Sequence, residues 1–139
     1  MNNLEWKCVR TLSDDGMLNE MEERYGFRYP EGYKETVRKF NAGIPSRKSI
    51  ELEDGIKISF ERLISAKYGD PYTLLCGAAD IAEEEEGILV IPFATNKFGN
   101  MFCFLYWENG AGVVGYLDYE EDSHRILADS WEEFLAMLT

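Results

Sequence analysis

Histidine is almost missing from this chain: His124 is the only one in 139 residues. General acid–base or nucleophilic catalysis calls for a histidine beside a serine, cysteine or paired carboxylates. His124 sits in "EEDSHR", which reads as a polar turn, so no nucleophile–base pair is legible and the chain is read as a non-enzyme. Cysteine is sparse too. Cys8, Cys76 and Cys103 are odd in number and lack paired spacing, which argues for reduced thiols over a disulfide framework or zinc site. Long apolar runs are also wanting. Met101 to Trp107, the longest in the aromatic region, falls far short of the ~20 residues of a membrane-spanning helix. The start, "MNNLEWKCVR", has no basic stretch followed by an apolar one and so no secretory signal. The expectation is a cytoplasmic protein with no membrane partner, no metal and no cofactor.

Positive charge is the next shortage. Lys and Arg number 14 against 26 Asp and Glu, for a net charge of −12. Residues 1–79 hold 13 acids and 12 bases, whereas residues 80–139 hold 13 acids against Lys97 and Arg125 alone. The second half-chain is therefore at −11. Affinity for nucleic acid comes largely from cations that displace counterions, so this balance speaks against a phosphate-binding surface. One stretch pulls the other way. "KFGNMFCF", Lys97 to Phe104, looks like the aromatic strand on which RNA-recognition modules stack bases. Its basic residue is followed by Phe98 where that pattern has glycine. With the charge against it, the strand is read as core and no nucleic-acid partner is expected.

What the chain does have is ample hydrophobic content, 45%, with 14% aromatic residues, enough for the core of one domain spanning residues 1–139. Ser13, Asp14 and Asp15 offer caps for a helix carrying Met17, Leu18, Met21 and Tyr25, ended by Gly26. Pro30 suits the first position of a second helix with Tyr33, Val37 and Phe40 on one face, stopped by Asn41 to Gly43. "SIELEDGIKISF" reads as a hairpin with a type I′ turn at Asp54-Gly55. A third helix is expected over Pro71 to Glu85, weakened by Gly77. Period-two strands follow over Ile88 to Ala94, Met101 to Trp107 and Val113 to Asp118, then a short one at "RILA". Pro92 suggests a bulge or an edge position in the first. Gly99 and Asn100 read as turn residues. "SWEEFLAML" closes the chain as a helix, with Ser130 and Glu133 as a capping box and Trp131, Phe134, Leu135 and Leu138 as its apolar stripe. The fold class is α+β: a mostly antiparallel sheet with N-terminal helices, one middle helix and a C-terminal helix packed on it.

Four pieces in this order resemble the SUKH superfamily, which contains the yeast cell-wall assembly regulators and many bacterial immunity proteins. They are "FRYPEGYKETVRKFNAG", similar to a Pro-x-x-Tyr helix with an Asn-x-Gly stop, and "GILVIPFATNKFGNMFCF", similar to two apolar strands around a Gly-Asn turn. "GVVGYLDYEED" follows, similar to a strand ending in acids, and last "LADSWEEFLAML". Trp131 stands where Phe is more usual, and Ala42 where a second Gly is common. The resemblance implies an immunity protein that neutralises a cognate polymorphic toxin, often a nuclease, by stoichiometric binding. The alternative it leaves open is a regulatory or scaffold module without a toxin partner. A basic nuclease cleft would attract an acidic half-chain. The candidate partner-binding residues are accordingly Asp118, Glu120, Glu121 and Asp122 with Tyr119 beside them, and the run Glu83, Glu84, Glu85 and Glu86. Tyr116 is a second possible anchor that the period of two assigns to the core. The acids Asp118 to Asp122 do not have the spacing of an EF-hand loop.

Overall fold

The computed structural model describes residues 4–77, 87–107, 112–121 and 123–139. The main sheet has five antiparallel strands in chain order: β5 (Arg62–Leu63), β6 (Leu89–Thr95), β7 (Met101–Tyr106), β8 (Gly112–Asp118) and β9 (Ser123–Ala128). Two small ribbons accompany it, β1 (Trp6–Lys7) with β2 (Ile44–Pro45), and β3 (Ser49–Glu51) with β4 (Lys57–Ser59). The helices are α1 (Gly16–Tyr25), α2 (Glu31–Phe40) and α3 (Trp131–Met137), and residues 74–77 are also helical. The fold is α+β, as expected.

The central strand β7 alternates its side chains between two apolar layers. Phe102 and Phe104, 0% and 1% exposed, enter the larger core with Tyr33, Phe93, Trp131 and Phe134 from α2, β6 and α3. Phe104 stacks on Phe93 at 4.4 Å between ring centroids and meets Tyr33 edge-on at 5.0 Å. Cys103 and Leu105 point to a second buried cluster with Val90 and Leu117. The opening rings of β7 are therefore core. Phe98 is not: it is 73% exposed in the β6–β7 turn, with the Lys97 ammonium 5.2 Å above its ring.

Several local expectations shift. Asp15 holds the N-cap position of α1 without a side-chain cap bond, and it is Asp14 Oδ1 that accepts from Gly16 N–H, at 2.8 Å. That leaves Asp15 to bind Arg38 of α2 at 2.8 Å. Gly26 ends α1 with φ +70°, as the sequence suggests. Pro30 caps α2 from just outside its first turn. The β3–β4 connection is not type I′, because Gly55 takes φ +86° and Asp54 has no positive φ. Gly55 N–H instead reaches Leu52 O, and Leu52 N–H reaches Ile56 O. One extra residue widens the loop, and Asp54 uses its carboxylate to accept from Ile56 N–H at 3.2 Å. Ile56, two residues before buried Ile58, is left 52% exposed beside this loop. Pro92 marks a bulge, since the β6–β7 register slips between Pro92 and Ala94, but β6 is an interior strand. Ser130 Oγ accepts from Glu133 N–H at 3.1 Å to start α3.

Candidate functional site

The acidic segment leaves the end of β8 at one end of the sheet. Alternation along β8 turns Tyr116 inward and brings Leu117 against the second cluster. Asp118 is half-buried, and Tyr119, Glu120 and Glu121 are exposed. Asp118 Oδ1 accepts from Glu120 N–H at 3.0 Å and Glu121 N–H at 3.2 Å, so this carboxylate shapes the turn as well as charging it. Tyr119 is 50% exposed and stands beside the acids. Asp122 and Glu83 to Glu86 lie outside the described residues. The structure thus brings Asp118, Tyr119, Glu120 and Glu121 together.

What holds this segment was not read from the sequence. Asn96 and Asn100, 4% and 7% exposed, flank the β6–β7 turn around Gly99, whose φ is +86°. Their side-chain amides both donate to the Tyr116 hydroxyl, at 2.8 Å and 2.9 Å. Asn96 Oδ1 accepts from Phe98 N–H and Asn100 N–H, both at 2.9 Å. Asn100 Oδ1 accepts from Tyr119 N–H at 3.0 Å. Burial raises the Tyr116 phenol pKa, and the two amides partly oppose that rise. Asn100 is a turn residue, as expected, and also the tie between two loops. Buried polar groups that satisfy one another fix a conformation, because any other leaves them unpaired at real cost. The partner of both amides, Tyr116, lies 20 and 16 residues along the chain, so no local spacing in the sequence marks the tie.

A groove of about 500 Å³ opens beside this tie, between β4 and β9, with Phe98, Asp118 and Glu121 among its lining residues. His124 belongs to it. The residue lies on β9, opposite Leu117, rather than in a turn, and is exposed. The lining holds Ser59 and Ser123 but no cysteine, and Lys57 and Arg125 stand in it with Asp118 and Glu121. Among the described residues, no three His, Cys, Asp or Glu side chains converge as metal ligands. Nor is any helix among them long and apolar enough to cross a membrane.

A second cavity of about 210 Å³ lies at the opposite edge, against β5. There Asn41 Nδ2 donates to Ser65 Oγ at 3.1 Å, Ser65 Oγ donates to Asp70, and Asp70 pairs with Arg10 at 3.1 Å. Arg62 donates to Ala42 O at 2.7 Å. The Asn41 and Arg62 bonds tie the segment after α2, with Ala42 at its strained φ of +62°, to β5 and the residues that follow it.

Residues 15–135 match the SUKH family model described as SMI1-KNR4 cell-wall. No curated protein and no solved structure matches the chain.

Proposed function

The chain belongs to the SUKH superfamily, and from that premise we propose that it is an immunity protein. In this reading it binds a cognate polymorphic toxin, a basic nuclease domain, and neutralises it one to one. One observation carries the reading: the exposed acids Glu120 and Glu121, with Tyr119, are held in place by the buried Asn100–Tyr116 tie. A loop already ordered loses little entropy on binding, and tyrosine adds contact area at low entropic cost. The −11 charge of residues 80–139 supplies long-range attraction to a basic cleft. The protein then acts by occupying and screening the toxin, with no chemistry of its own.

Co-expression in bacteria with a nuclease toxin domain, taken from any toxin gene found beside this one, tests this. Growth should recover in proportion to the amount of protein made. Recovery at far below one protein per toxin would mean turnover and contradict the reading. A regulatory scaffold role would show as no rescue at any level.

A further inference from the structure

The cavity of about 210 Å³ lies at the β5 edge of the main sheet, away from the acidic turn that joins β8 to β9. Its charges are unequal. Arg10 and Arg62 line it with a single acid, Asp70, so the lining carries +1 in a chain of −12. The Asp70 carboxylate is engaged at both oxygens, accepting from Arg10 Nη1 at 3.1 Å and from Ser65 Oγ. Arg62 has no such counterpart. It is half-buried and forms no ion pair among the described residues. Its bonds go to backbone carbonyls alone: Nε and Nη2 donate to Ala42 O at 3.1 Å and 2.7 Å, and Nη2 to Cys8 O at 3.4 Å. Nη1 has no acceptor among the described residues. A charge drawn out of water without an opposite charge is costly.

We propose that this cavity binds a small aliphatic monocarboxylate, its charge on Arg62 and its hydrocarbon body against Leu63 and Ile64. Carboxylate is the anion whose two oxygens match the paired donors of a guanidinium. The net charge of the lining suits one negative charge, and Asp70 opposes a second. Ala42, Leu63 and Ile64, all buried, give the body an apolar wall that a bare inorganic anion does not use. The body is short, because 210 Å³ falls below the ~300–1,000 Å³ of pockets that hold drug-sized ligands. Binding here would also steady the segment through Cys8 and Arg10, which the same two arginines connect to β5 and Asp70.

The probe is sodium isovalerate, titrated into the full chain at constant ionic strength and followed by NMR of methyl groups and arginine side-chain N–H. Saturable shifts are expected at the Leu63 and Ile64 methyls and at Arg62 Nε–H. Isoamyl alcohol, the same body without the charge, should bind at least tenfold more weakly. Inorganic phosphate, charge without the body, should do the same. Arg62→Gln, which removes the charge and keeps an N–H donor, should weaken isovalerate at least tenfold and leave the alcohol unchanged. Shifts that fail to saturate, or equal binding of the alcohol or of phosphate, would overturn the proposal. The three-probe comparison uses the unaltered chain, so it decides the matter whether or not Arg62→Gln folds. None of these results depends on a toxin, so failure of the cavity and failure of the immunity reading are separately visible.

Discussion

Tyr116, from the third long strand, and Asn100, from the turn before the second, share a buried hydrogen bond of 2.9 Å. Asn100 spends its other side-chain atom on Tyr119 N–H, one residue beyond the strand's end. Replacing Asn100 by Ala removes both bonds and strands a backbone donor, so stability should fall by about 1–3 kcal/mol. The Tyr119 amide should exchange faster by at least tenfold. Denaturant melts and hydrogen exchange check the two halves. An unaltered Tyr119 amide would show that the loop holds its shape without the tie.

Phe104 touches Tyr33, Phe93 and Trp131 and is fully enclosed. Truncation to Ala should cost ~3–5 kcal/mol, the range for a buried ring with incomplete collapse around it. No RNA affinity is expected at physiological salt before or after the change. An unchanged melt with RNA binding lost would make the strand a base-stacking surface.

Much of this architecture was legible because burial writes a period into the chain. The inward rings of β7 alternate, the stripe of α3 recurs every three or four residues, and both were readable. Asp54-Gly55 misled because the dipeptide suits two turn geometries, and the Gly55–Leu52 bond that selects one depends on where the strands pair. His124 was misplaced because edge strand β9 is exposed over residues 123–126 and so lacks an apolar alternation. The acids of the candidate site were visible as composition. Asn96 and Asn100 were not, since the value of a buried amide lies in a partner 16 or 20 residues away.

Charge at Glu120 and Glu121 should govern encounter and leave folding alone. The double change Glu120→Gln and Glu121→Gln keeps the Asp118 turn and should alter stability by only ~0.5 kcal/mol per site. Association with the toxin domain should slow and lose salt dependence, because screening acts beyond ~8 Å at physiological ionic strength. Stopped-flow measurements over a salt series check this. A faster dissociation with an unchanged on-rate would make the two acids buried anchors.

Asp15 should shape the acid limb of stability. The hydrogen bond from Arg38 holds its carboxyl below the ordinary value of 3.8, against a smaller opposing effect of burial. A depressed folded pKa means stabilisation that is complete above the unfolded value, about 4 for an aspartate. It is lost as the pH falls through the lower folded value. Asp15→Asn should therefore lower stability at pH 7 and make the decline from pH 5 to pH 2.5 shallower. Parallel acid-limb curves for the two proteins would show that the pair contributes nothing through its charge.

Stoichiometric neutralisation is tested most directly by titrating the purified protein into a fixed amount of the cognate toxin domain, sought among the genes beside its own, while following nuclease turnover. The account predicts a linear loss of activity that reaches zero at one protein per toxin, with a complex of that composition in solution. Complete loss at a small fraction of that ratio, or full activity at a large excess, would contradict it.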